Sequence, residues 1–145
     1  MQEALSRPIN RSTLLLLALL SATALAGCGK SDSETPGDTV VAYLDAFAAG
    51  DGDEACERLT EETKRVLVPR VGRKVGARDC PGAVATLRNR LTVPQADAFS
   101  RASATRVRVD GDTAVVRFRA DTLRGGAELR KVSGEWKISL LPRSR

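Results

Sequence analysis

Histidine is missing from all 145 residues. That removes the side chain that most often moves protons near neutral pH, and with it the commonest metal ligand. Aromatic residues make up only 3% of the chain: three Phe, one Tyr and one Trp. A core built from this composition rests on Val, Leu and Ala, each of which buries less surface than a ring. The same scarcity excludes the aromatic platforms on which single-stranded nucleic acid stacks, so no nucleic-acid partner is expected. No G-x-S-x-G, H-E-x-x-H or P-loop pattern occurs. The sequence therefore offers no catalytic residue, no metal site and no cofactor site. Its longest uncharged apolar stretch, "STLLLLALLSATALAG", falls short of the roughly 20 residues that a membrane span needs.

What is present begins with that stretch. Arg7 and Arg11 precede it, and small residues follow it. A positive start, a short apolar middle and a small-residue exit describe a secretory signal. The exit reads Leu25-Ala26-Gly27-Cys28 and resembles the bacterial lipobox. That resemblance implies a signal peptide over residues 1–27. It also implies a diacylglyceryl group on the Cys28 sulfur and cleavage just before Cys28. The product is a lipoprotein held by acyl chains such as palmitate on the extracytoplasmic face of a cell membrane. Residues 28–37, "CGKSDSETPG", are polar and rich in turn formers, and read as a flexible tether.

With Cys28 taken by lipid, Cys56 and Cys80 remain. In an exported protein such a pair reads as a disulfide. Two thiols without a histidine or a second cysteine pair do not complete a zinc set, and the spacing is not C-x-x-C.

Charge divides the chain. From Cys28 to Glu62 acidic residues outnumber basic ones ten to two; from Thr63 onward basic residues outnumber acidic ones nineteen to seven. The cluster Lys64, Arg65, Arg70, Arg73, Lys74 and Arg78 is the candidate for binding an anionic surface, such as anionic lipid or an acidic wall polymer. The carboxylates of "DGDE", 51–54, read as a turn and helix start rather than a calcium loop.

"DTVVAYLDAFAAGD" carries Val40, Tyr43, Leu44 and Phe47 at helical spacing, with Asp38 or Thr39 as cap and Gly50 as stop. "DGDEACERLTEETKRVLV" continues as helix until Pro69, with Thr60 a possible internal cap. Pro81 opens a further helix with Val84, Leu87 and Leu91 on one stripe, and "TVPQADAFSRAS" reads as one short turn. Near Thr105 the period changes to two. "TRVRVDGDTAVVRFRA" is a hairpin about Asp110-Gly111, and "AELRKVSGEWKISLL" a second about Ser133-Gly134. Helices followed by three or four antiparallel strands read as α+β, with the helices covering the apolar face of the sheet.

"VVAYLDAFAAGDGDEACERLTEET", "VRVDGDTAVVRF" and "LRKVSGEWKI" together resemble the nuclear transport factor 2-like (cystatin-like) superfamily, especially its small exported bacterial lipoproteins. The resemblance implies a curved, cone-like sheet wrapped on a helix over residues 38–141, with 142–145 a basic tail. It also implies pairing of two copies through the sheet. Enzymes of that superfamily place Asp, His or Tyr inside the cone. Here His is absent, Tyr43 reads as core, and Asp45 and Asp97 read as solvated. The expected function is a membrane-anchored, non-catalytic surface lipoprotein that binds a small apolar ligand or a partner protein. An isomerase or dehydratase on the same fold is the alternative.

Overall fold

A computed structural model describes residues 34–72, 74 and 76–144, with side chains up to Ser139. Five α-helices precede a four-stranded antiparallel meander, an α+β arrangement. The expected signal peptide over residues 1–27, Cys28 and Arg73 lie outside the described residues.

Helix α1, Pro36–Ala49, starts earlier than the sequence suggests. Its cap is Thr35, not Asp38 or Thr39. The Asp38 amide donates to Thr35 Oγ1 at 3.2 Å, and the Thr35 amide donates to Asp38 Oδ2 at 3.1 Å. This reciprocal box, with Pro36 in the first turn, satisfies amides that a helix start leaves open. Pro36 and Gly37 are buried helical residues, so the tether ends before them and not at 37. Gly50 closes the helix with φ +79°, a conformation that costs glycine little.

The single helix expected over 51–68 is two: α2, Gly52–Glu57, capped by Asp51, and α3, Glu61–Leu67, capped by Thr60. The break has a tertiary cause. The Ile138 amide donates to the Arg58 carbonyl at 2.8 Å, and the Thr60 amide donates to the Ile138 carbonyl at 3.0 Å. Leu59 thus bridges the edge of the last strand in parallel and drops its side chain into the core. Pro69 does not stop α3 outright: it lacks the N–H an α-turn needs, and the backbone widens into a π-turn over Val68–Gly72. Helix α4, Cys80–Arg88, is capped by Asp79. The expected short turn at 92–103 is a full helix α5, Val93–Ser100, whose cap residue Thr92 donates its amide to Gln95 Oε1 at 2.9 Å.

Strands β1, Ser103–Asp110, β2, Thr113–Ala120, β3, Leu123–Val132, and β4, Glu135–Ser144, pair in sequence order. The turns at Gly111 (φ +56°) and at Ser133-Gly134 (φ +51° and +87°) stand where the sequence put them. A third turn at Asp121 (φ +55°) joins β2 to β3 and settles the strand count at four. Strand β4 runs to Ser144, so residues 142–144 continue the sheet and do not form a separate tail.

Ala114, Val116, Phe118 and Ala120 of β2, Ala127 and Leu129 of β3, and Ile138 of β4 meet Val40, Tyr43 and Leu44 of α1 with Leu59, Ala83 and Val84. Val40, Val116 and Ile138 have no exposed surface, so side chains fill the inner face. Coverage of that face is incomplete. Val107 and Val109 of β1 share it by register with Val116 and Ala114, yet stay 43% and 52% exposed. Helix α1 packs against β1, β2 and β4, with Gly37 in its first turn beside Ala104 and Val107, and the outer parts of Val107 and Val109 stay open.

A disulfide joins Cys56 at the end of α2 to Cys80 at the start of α4, with Cα atoms 6.2 Å apart. Core, sheet and disulfide all fall within the compact unit Ser33–Arg145. No helix among the described residues is long and apolar enough to cross a membrane.

Candidate functional site

Alternation along a strand sends successive side chains to opposite faces of the sheet. Packing Val116 and Phe118 inward therefore sends Arg117 and Arg119 outward. Register fixes the rest. Arg106 stands opposite Arg117, Arg108 opposite Val115, Arg124 opposite Arg119, and Arg130 opposite Thr113. All six arginines belong to the outer face, and all are exposed. Glu128, opposite Val115, is the acid in their midst; Asp110 and Glu135 lie at the turn ends of their strands.

Two of these cross-strand pairs, Arg106 with Arg117 and Arg119 with Arg124, set like charges directly opposite, which destabilises a sheet. The described residues do not neutralise them: their ion pairs involve Arg58, Lys64 and Lys137, and none of the six. Nor does any acceptor among the described residues take a hydrogen bond from the six side chains; the arginine side chains that donate there are those of Arg58, Arg65 and Arg88.

A groove of about 490 Å³ runs across this face, lined by Thr105, Val115, Arg117, Arg119, Arg124 and Glu128 and floored by Gly125-Gly126. Gly126 makes it possible. A Cβ there would stand 3.1 Å from Arg117 Nη1 and 3.3 Å from its Cδ, so Arg117 lies across bare backbone. Thr105, which lines the groove, is the extra residue of a bulge in β1 between the pairs of Ala104 and Arg106.

The basic cluster expected from the sequence stands apart from this groove. Lys64 is held by Glu61, Nζ to Oε1 at 2.8 Å, and that hydrogen bond keeps the Glu61 carboxyl below its ordinary pKa. Arg65 Nε donates to the Glu61 carbonyl at 3.3 Å. Arg70 sits exposed in the π-turn; Lys74, a helical residue beyond it, and Arg78, in the bend before α4, are exposed too. None of them lines the groove.

Tyr43 is core, 7% exposed, with its ring 6.3 Å from that of Phe47, and burial raises its pKa to about 12. Asp45 and Asp97 are exposed. Thr39 and Thr63 are the buried polar residues among those described, and neither is an acid. The described residues hold no group of three His, Cys, Asp or Glu placed to take a metal ion.

The sequence displayed the Arg-x-Arg repeat on both arms of the first hairpin. What it hid was register: Arg124 and Arg130 join the face only once the turn at Asp121 aligns β3 with β2. Comparison with protein-family models, with curated proteins and with solved structures finds no match to this chain.

Proposed function

We propose that this protein is a non-catalytic binding module, lipid-anchored through Cys28 at the extracytoplasmic face of a membrane, which takes an anionic partner on the outer face of its sheet. The observation that carries the binding role is the set of six arginines on one face of the sheet, of which Arg117, Arg119 and Arg124 line a glycine-floored groove. Arginine presents a planar fork that matches phosphate and carboxylate oxygens in pairs. The filled inner face favours this surface over an apolar ligand held within the cone. The absence of a buried acid beside Tyr43, among the described residues, favours binding over proton-transfer chemistry. The anchor rests on the lipobox resemblance of residues 25–28.

Two measurements test it. Metabolic labelling with an alkynyl fatty acid tags the full chain, and Cys28→Ala abolishes the tag; a tag that survives refutes the anchor. The unit Ser33–Arg145 binds fluorescent polyphosphate saturably at low salt and ignores a neutral polymer of equal length. Failure to bind any polyanion refutes the binding role.

A further inference from the structure

We infer that the anion is the phospholipid headgroup layer of the same membrane, and that the arginine face of β1–β3 lies on it. This rests on the anchored binding module proposed above and names its partner. The first argument is charge complementarity. Six arginines spread over three strands form a broad basic surface, and clusters of Lys and Arg next to a lipid anchor are drawn to anionic headgroups. The central groove adds depth where a phosphate can meet more than one guanidinium, between Arg117, Arg119 and Arg124. Val115, 43% exposed between Arg108 and Glu128 in the register, gives the face an apolar point at its centre.

The second argument is where the chain enters. Helix α1 starts against the edge strand: a Cβ on Gly37 would stand 3.2 Å from Ala104 Cβ and 3.3 Å from Val107 Cγ2. Only six residue steps separate Cys28 from Glu34. Fully extended, they span at most about 20 Å. An acylated Cys28 therefore keeps the β1 edge near the bilayer, and β1 carries Arg106 and Arg108 of the face. The arginines are delivered to the surface their charge fits.

Co-sedimentation of the unlipidated unit Ser33–Arg145 tests this with two kinds of vesicle, phosphatidylcholine alone and phosphatidylcholine with 30% phosphatidylglycerol. We expect binding to the anionic vesicles only, lost as salt is raised toward 0.5 M. Each arginine near the surface is worth about fivefold, so R117Q/R119Q/R124Q weakens binding by roughly 100-fold. R106Q/R108Q weakens it by about 25-fold on the same scale. Neutralising Lys74 and Arg78 changes it less than twofold. Equal binding to neutral vesicles overturns the inference, as does full binding by either arginine variant with its disulfide and thermal transition intact. Tight binding of soluble polyphosphate with no binding to anionic vesicles also overturns it, while leaving the proposed binding role standing. A full chain that takes up no acyl tag at all, with vesicle binding of the unit retained, would remove the anchor and keep the docking face.

Discussion

Replacing Gly52 with alanine tests how closely the disulfide draws α2 onto α4. Gly52 opens α2, and a Cβ built on it would stand 2.4 Å from the Pro81 carbonyl oxygen, 2.7 Å from its Cα and 2.8 Å from its carbonyl carbon. Those atoms are backbone, so no rotamer change relieves the overlap. Pro81 follows Cys80, whose bond to Cys56 fixes the two helices together. Overpacking of this kind costs about 1–3 kcal/mol. Alanine's better helix propensity returns less than about 1 kcal/mol, and less still at a first helical position. The net loss is about 2 kcal/mol, which lowers the melting temperature of a unit this size by about 10 °C. Urea unfolding of the oxidised unit Ser33–Arg145 measures it. The cause is checked by repeating the substitution in Cys56→Ala/Cys80→Ala. Removing the bridge itself costs about 3 kcal/mol, but frees Pro81 to recede, so the penalty of Gly52→Ala shrinks by at least about 1 kcal/mol. A neutral or stabilising Gly52→Ala in the oxidised protein, as at an exposed helical glycine, would refute the close approach. An undiminished penalty without the bridge would refute the role given to the disulfide.

Other expectations concern single groups. Hydrogen bonds from the Thr35 side chain and amide hold the Asp38 carboxyl below its ordinary value of 3.8. A folded-state pKa below the unfolded one means the carboxylate arm of the box contributes fully above that ordinary value and is lost as pH falls through the folded value. Thr35→Ala therefore costs about 1 kcal/mol at pH 7 and somewhat less at pH 2, where the bond from the Asp38 amide to Thr35 Oγ1 still stands to be lost, measured by urea unfolding at both. A penalty independent of pH would contradict the reciprocal box. Tyr43 titrates near 12 rather than 10.0 because burial disfavours its phenolate. Stability tied to it is whole below pH 10 and declines as pH rises toward 12; phenolate absorbance appearing near pH 10 in folded protein would show the ring to be solvated. Arg117→Gln removes a like-charge pair and is expected to stabilise the unit by about 0.2–1 kcal/mol while weakening anion binding. Destabilisation would mean that Arg117 contributes packing the sheet needs.

The helices and hairpins were legible because local chemistry agrees with the final structure. Val40, Tyr43 and Leu44 lie on the stripe their spacing marks, and Asp110-Gly111 and Ser133-Gly134 turn where their residues favour it. The cysteine pair was legible from parity once Cys28 was set aside. What escaped depends on contacts distant in sequence. Nothing between 51 and 68 announces that β4 will capture Leu59 and divide the helix. The cap of α1 was missed because Thr35-Pro36-Gly37 resembles linker in composition, and only the bond to Asp38 makes it a helix start. The basic cluster at 64–78 drew attention by density along the chain, whereas the arginines of the sheet are gathered by strand pairing. Arg106 and Arg117 are eleven positions apart and Arg119 and Arg124 five, yet strand pairing sets each couple face to face.

A basic sheet face also has a plainer explanation, since charged side chains on an edge strand deter pairing with other sheets. That explanation suits Arg106 and Arg108 on β1, where the edge is open. It does not reach β2, whose two sides are both paired, or β3, which is likewise interior to the sheet. Neither strand has an edge to guard, and Arg117, Arg119, Arg124 and Arg130 stand on them. Nor does solubility require arginines to be paired with each other, because an Arg–Glu pair is as soluble and more favourable across strands. The opposite corner of the sheet shows the ordinary solution: Lys137 Nζ lies 2.9 Å from Glu135 Oε2. A sheet that pairs charge there and sets three arginines against a single acid, Glu128, around the groove has a local excess of positive charge that a ligand's negative charge would resolve. Natural sequences concentrate such conflicts at functional sites. Occupancy by phosphate or carboxylate should therefore raise the stability of this unit, and should raise it less once Arg117 is replaced by glutamine.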